Sequence, residues 1–297
     1  MALTYYKNGA DILEDVLFRS GELTASSGVT SNYRDAAKRY IQRRYHDIVI
    51  AQPWPWALSS TPGTLSVVAG QSNTATCTQG SASVTLGTSI TSSVSGYWLE
   101  IDSKMVPYRI SSHSASSVDV TLDTTYKEDS VSAGVCTIYK DEYSLASDCW
   151  KIWKAWDRNN PNVRIDIIQS GKMHDIYTSR RTSSSNTYIM SIIRNGVARI
   201  TPWPVSDDIT IEYEYTAKIS NDLSFSSDTS DVPIIPDVDR AILSDFATAD
   251  VMLDKNDPRA ESILQLAMVK YQQMINTYIL VGKFNKYVRE GQSIGGS

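Results

Sequence analysis

The sequence predicts an α+β protein: a helical bundle built from both chain termini, an inserted β-barrel or β-sandwich, and a second β-rich segment. Three observations carry this expectation. Apolar residues at helical spacing occur near the two ends, in residues 8–51 and 237–281. Residues 62–141 carry short alternating runs rich in Ser, Thr, Val and Gly, separated by turn residues. Residues 142–219 alternate again and contain Arg194-Asn195-Gly196, a strong hairpin signal. The expected domains are 1–61 with 230–297, then 62–141, then 142–229.

Asn8 is placed to cap a first helix reaching Arg19, with Ile12, Leu13, Val16 and Leu17 on one face and Gly21 as its stop. Ser31 then caps a longer helix to about Ala51, whose core stripe reads Tyr33, Ala37, Tyr40, Ile41, Ile48 and Val49. Its other faces carry Arg34, Lys38, Arg39, Arg43, Arg44 and His46 against Asp35 and Asp47. Such a face is either simply solvated or a docking face for an acidic partner or a phosphate backbone. Gln52-Pro53-Trp54-Pro55-Trp56 ends the helix, because proline cannot continue it. The two tryptophans are expected to plug the seam between the helical domain and the β-rich region; an exposed sugar-stacking pair is the alternative.

Seven short strands are expected in the insert: Thr64–Val68, Ala75–Thr78, Ser83–Leu86, Trp98–Ile101, Val106–Ile110, Val118–Leu122 and Val135–Tyr139. Many short strands at regular spacing indicate a small barrel or sandwich. Tyr143 to Asp148 reads as a turn. Trp150, Trp153 and Trp156 come next at three-residue steps, which would align them on one side of a helical turn as core or interface anchors rather than a ligand platform. Strands are expected at Val163–Ile168, Asp175–Tyr177, Tyr188–Ile193 and Val197–Ile200. Ile209 to Tyr215 alternates cleanly, with Glu212 and Glu214 facing away from Ile211, Tyr213 and Tyr215. Residues 220–231 are Ser- and Asp-rich and read as a surface connection.

Pro233 and Pro236 hold the chain extended before the C-terminal helix pair. The first of these helices places Val238, Ile242, Phe246, Ala249 and Leu253 on one face, with Asp237 and Asp239 in its first turn. Asp257-Pro258 starts the second, whose stripe is Ala260, Ile263, Leu264, Ala267, Tyr271, Met274, Ile275 and Tyr278. Gly282 suits a left-handed cap, and 283–297 reads as a polar arm.

The totals exclude several classes. Hydrophobic content of 41% and charged content of 21% are those of a soluble globular protein. A net charge of −5 argues against a basic nucleic-acid coat protein. No run approaches the roughly 18 apolar residues of a membrane span, so no membrane partner is expected. Met1 to Lys7 lacks a basic region followed by an apolar core, so secretion is not expected. Cys77, Cys136 and Cys149 are widely spaced and read as reduced thiols, a Cys77–Cys136 bridge across the β-region being the alternative. His46, His113 and His174 show no ligand spacing, and Gly171-Lys172 lacks the upstream glycine of a phosphate loop. Glu212 and Glu214 would stand roughly 7 Å apart on a strand, within the span of paired glycosidase carboxylates. Alternating acids are nonetheless ordinary on an exposed strand face. No catalytic, cofactor or metal site is assigned, and no enzymatic activity is expected.

The order of motifs resembles the head-to-tail adaptor (connector) proteins of tailed double-stranded DNA bacteriophages, the group that includes tail tubular protein A. The resemblance rests on six motifs. They are the basic helix running into Gln52-Pro-Trp-Pro-Trp56, the barrel motifs Val106-Pro-Tyr-Arg-Ile110 and Val118-Asp-Val-Thr-Leu-Asp123, Tyr143-Ser-Leu-Ala-Ser-Asp148, Ile200-Thr-Pro-Trp-Pro204, and Val232-Pro-Ile-Ile-Pro236 before a helix pair jointed at Asp257-Pro-Arg-Ala-Glu261. Ala146 stands where relatives often carry a proline, and the 62–141 insert is larger than in the shortest relatives.

What the resemblance implies is a structural, non-enzymatic virion protein, made in the host cytoplasm and located at the head–tail junction. It would form a homo-oligomeric ring, typically dodecameric, beneath the portal protein. That ring would contact a downstream tail or nozzle protein and extend the channel through which viral double-stranded DNA passes at ejection. The implied partner-binding residues are Arg34, Lys38, Arg39, Arg43 and Arg44, together with Lys283, Phe284, Lys286, Tyr287 and Arg289 of the arm. The basic residues are expected to meet neighbouring protein, because a basic lumen would hold each passing phosphate. Other readings are a host-receptor or carbohydrate-binding tail module, a tail-side ring of the same virion, and a glycan-degrading enzyme using Glu212 or Glu214.

Overall fold

The computed structural model describes residues 8–22, 31–102, 104, 106–160, 164–169, 189–194, 196–201, 207–219, 222–225 and 231–280. The chain is mixed α+β. It divides into two compact units, 1–60 with 215–297, and 61–214.

The described residues of the first unit hold four α-helices: α1 (Gly9–Arg19), α2 (Ser31–Ala51), α3 (Ala241–Asp254) and α4 (Ala260–Met274). The Asn8 side chain accepts the Asp11 N–H at 3.0 Å and caps α1. Gly21, at φ +77°, takes the left-handed turn beyond it. Ile12, Val16, Ile41, Tyr45, Ile242, Phe246 and Met274 belong to one hydrophobic core. Tyr45, absent from the expected stripe, is buried in that core, whereas Tyr33 is exposed at the start of α2.

The last helix pair differs from expectation in a second way. Val238 and Leu253 are exposed, at 70% and 51%. The helix between them is instead buried on all sides, from Ile242 through Met252 save Asp250. A one-face stripe describes a surface helix; α3 is a central one, so its small residues Ser244, Ala247, Thr248 and Ala249 are buried too. The expected start of the second helix at Asp257-Pro258 shifts: α4 begins at Ala260 with Arg259 at the N-cap position and no side-chain cap, and the Asp257 carboxylate accepts the Arg259 N–H at 2.9 Å in the turn before it. A π-helical turn, Ile275–Leu280, continues from α4. Leu223 and Asp231 are buried, so the expected surface connection over 220–231 is anchored at those two points.

The described residues hold thirteen strands, most of them in the second unit. Six of them, β2 (Gln71–Cys77), β3 (Ser83–Leu86), β4 (Trp98–Ile101), β5 (Tyr108–His113), β6 (Asp119–Leu122) and β7 (Val131–Tyr139), close into an antiparallel barrel in the order β2-β3-β6-β5-β4-β7. Closure removes the free edges that short strands would otherwise expose. Alternate residues such as Val84, Leu86, Val120 and Leu122 fill its interior, while Ser83, Thr85, Asp119 and Thr121 face out.

The remaining strands are β1 (Gly63–Val67), β8 (Glu142–Ser144), β9 (Cys149–Asp157), β10 (Arg164–Gln169), β11 (Ile189–Arg194), β12 (Val197–Thr201) and β13 (Ile209–Ala217). They form a sheet in the order β1-β13-β9-β10-β11-β12-β8, whose edge strands β1 and β8 approach one another, so the sheet curls like a barrel. β1 therefore leaves the barrel and pairs with β13, Gly63 opposite Tyr213. β11 and β12 form the expected hairpin, turning at Gly196 (φ +75°), but β10 and β11 run parallel.

The structure corrects two expectations about this sheet. Tyr143 lies in strand β8, so the turn is confined to Ser147 and Asp148. Trp150, Trp153 and Trp156 lie on strand β9 and not on a helical turn. In a strand, three-residue steps alternate faces, so Trp150 and Trp156 share one face and Trp153 takes the other. The Asp175–Tyr177 segment, Gly282 and the 283–297 arm lie outside the described residues.

Candidate functional site

The structure separates the basic residues of α2. Side chains advance about 100° per residue round a helix, so five cations spread over residues 34–44 cannot share one face. Arg44 turns towards α3: its Nε donates to Asp250 Oδ2 at 2.7 Å and its Nη2 to Oδ1 at 2.6 Å. It also lies 5.1 Å from the Phe246 ring centroid. These bonds to Asp250 raise the Arg44 pKa against the opposing effect of burial. Lys38 stands 6.0 Å over the Phe225 ring. Arg34, Arg39 and Arg43 are exposed, and Arg43 lies 3.8 Å from Asp47 one turn on. Lys283, Phe284, Lys286, Tyr287 and Arg289 lie outside the described residues.

Beneath this surface, Asp245 of α3 is a buried carboxylate holding Arg19 of α1 at 2.7 Å and Lys270 of α4. Asp15 bonds the neighbouring Ser244 hydroxyl. The sequence signal was available: Ser244-Asp245 interrupts an apolar run, and a buried acid needs partners. Outside this hub, α4 turns Leu266, Met268 and Val269 to solvent, at 47%, 54% and 55%. Trp54 is fully buried in the helical core, its ring stacked on Trp56 at 5.4 Å and its Nε1 donating to the Ile48 carbonyl. Trp54 is thus a core anchor and no sugar platform.

In the second unit, one face of the curled sheet carries the exposed residues Thr64, Lys154, Arg158 and Arg164 and the half-buried Trp156, Glu212 and Glu214. Trp156 Nε1 donates to Glu212 Oε2 at 3.1 Å, Lys154 meets Glu214 at 3.1 Å, and the Arg158 N–H bonds the Thr210 carbonyl. That series makes β9 and β13 antiparallel. With Thr64 opposite Glu212 and Arg164 opposite Trp156, one transverse row reads Thr64, Glu212, Trp156, Arg164 across four strands. Glu212 is also 3.3 Å from Arg158, so each of the paired acids is committed to a cation. The helical reading of the tryptophans hid this row; the signal for a strand was composition, three tryptophans and Ile152 within the seven residues Trp150 to Trp156, since aromatic and β-branched side chains favour strands.

A buried charge cluster lies elsewhere in this unit. Asp141 accepts the Trp98 Nε1–H at 2.9 Å and faces Arg199, whose Nε stands 2.9 Å away without hydrogen-bond alignment, so that contact is an ion pair. Burial pushes the Asp141 pKa up, and Arg199 and the Trp98 bond oppose that rise. Cys77, Cys136 and Cys149 are buried and form no disulfide. Among the described residues no group of three or more His, Cys, Asp or Glu is set to hold a metal, and no helix is long and apolar enough to cross a membrane. No protein-family model matches the chain, and a comparison with curated proteins finds no match.

Proposed function

We propose that this chain is a structural virion protein that assembles as a ring adaptor between portal and tail and extends the DNA channel. The proposal includes the finer architecture: a helical bundle drawn from both chain termini, with the β-rich unit inserted. In its support, residues of α1 and α2 share one core with residues of α3 and α4, more than 180 positions later in the chain. The observation that carries the reading is the outer side of α4. Leu266, Met268 and Val269 stand in water although the helix is well anchored by Ala260, Ala267 and Met274. Half-exposed large apolar side chains grouped on one helix suit a surface that a neighbouring copy or partner covers. The exposed Arg34, Arg39 and Arg43 supply a polar contact set for an acidic neighbour. In this reading the chain carries out no chemistry. Its partners are the portal, a tail or nozzle protein, copies of itself and the DNA that passes through.

Immunogold labelling of disrupted virions with antibody against the chain tests the reading. Gold at the head–tail junction is the expected result. Gold at the tail tip or on fibres overturns it in favour of a receptor-binding module.

A further inference from the structure

We propose that the sheet face centred on Trp156 is a binding site for a neutral saccharide. This site lies within residues 61–214 and does not rest on the adaptor reading. Three features of the face point to that ligand class.

The first is the placement of the indole. Trp156 stands in the middle of the transverse row, between Glu212 and Arg164 on the adjacent strands. Strands lie about 4.8 Å apart, so the four-residue row from Thr64 to Arg164 spans roughly 14 Å. Thr64 and Arg164 at the two ends of the row are exposed and Trp156 and Glu212 between them are half-buried, which suits a chain of sugar rings lying across the row better than a single small molecule in a pocket.

The second is preorganisation. The bond from Trp156 Nε1 to Glu212 fixes the ring, and Arg158 fixes Glu212 in turn at 3.3 Å. A ring held before binding loses little freedom on binding. Its π-face is electron-rich and attracts the weakly positive C–H face of a pyranose.

The third is charge. Lys154 offsets Glu214 and Arg158 offsets Glu212. An ionic ligand would have to displace one of these pairs. A polyol would not, because a carboxylate has about four lone-pair positions and a guanidinium five N–H groups, and these pairs use only some of them. The remaining positions can bond hydroxyl groups on either side of the ring. Thr64 adds a further hydroxyl partner beside Glu212.

The test is a glycan array of neutral and acidic oligosaccharides probed with the full chain, followed by titration of each hit. Wild type is expected to bind one or more neutral glycans. Trp156→Ala is expected to weaken that binding by at least about tenfold, the equivalent of 1.4 kcal/mol. Trp156→Phe, which keeps an apolar ring but loses the bond to Glu212, is expected to fall between the two. Thermal unfolding of each variant reports whether the fold is intact; should Trp156→Ala not fold, Arg164→Ala replaces it, with loss of binding again expected. Absence of any neutral hit, hits restricted to acidic glycans, or binding indifferent to these substitutions in folded protein overturns the proposal. Junction labelling of virions can succeed or fail without affecting any of these outcomes.

Discussion

Arg44 and Asp250, 206 positions apart in the chain, meet through two parallel hydrogen bonds of 2.7 and 2.6 Å. The fork-to-carboxylate geometry is the strongest form of ion pair. It ties α2 to α3 and takes one cation out of the basic face. Asp250 is only 12% exposed. Arg44→Ala is expected to destabilise the chain by about 1–3 kcal/mol, part of it from the unpaired carboxylate. Arg44→Lys should recover little, since lysine lacks the fork. Urea unfolding of the two single variants and the double variant would show a coupling of about 1 kcal/mol or more; additive effects would mean the pair contributes nothing.

Trp54 fills the centre of the helical core and touches Trp56, Tyr271 and Tyr278. Trp54→Ala should cost about 3–5 kcal/mol through the cavity it leaves. The expected observation is a large drop in the urea midpoint, or no soluble protein.

Gly63 of β1 lies opposite Tyr213 of β13, and a Cβ there would stand 2.2 Å from the tyrosine ring. Tyr213 is fully buried and its hydroxyl accepts the Ala146 N–H at 2.7 Å, so the ring cannot withdraw without breaking that bond. Gly63→Ala is therefore expected to destabilise by about 1–3 kcal/mol. A melting temperature equal to wild type would show that β1 can shift instead.

Burial pushes the Cys77 thiol from 9.0 to about 11 and the Cys136 thiol from 9.0 to about 12. Neither thiol should react with iodoacetamide at pH 8 in folded protein, while both should react in denaturant, as read by mass spectrometry. The folded state also holds these protons more tightly than the unfolded state. Its stabilising contribution is complete below pH 9 and is lost as pH rises through 11 to 12. Tyr126, raised from 10.0 to about 12 by burial, acts in the same sense. Stability measured against pH should thus fall between pH 9 and 12, and Cys136→Ser should make that fall shallower.

Arg39 and Arg43 are exposed on the outer side of α2. Reversing both to Glu is expected to leave the free energy of urea unfolding within about 0.5 kcal/mol of wild type, because surface charges away from packed features contribute little. Under the adaptor reading the same change should abolish incorporation into virions. Normal assembly with altered DNA retention would instead place these residues against DNA.

The local elements were legible in the order of residues alone. Helical periodicity located α1 and α2 closely, and Asn8 and Gly21 marked the two ends of α1 because each acts within a single turn; Ser31, expected as a cap, is the first residue of α2. Two-residue alternation located β3 and β4, and the Asn-Gly pair located the β11–β12 hairpin. Partnership was settled only in three dimensions: β1 joins β13 and not the barrel, β10 and β11 run parallel, and α3 is enclosed on every side. So was the fate of the polar residues. Arg44 went to Asp250, Arg19 and Lys270 to Asp245, and Trp156 to Glu212 on the neighbouring strand. The physical reason is range. Periodicity records which side of an element is apolar, but pairing depends on contacts between residues remote in the chain, whose free energy exists only once the fold brings them together.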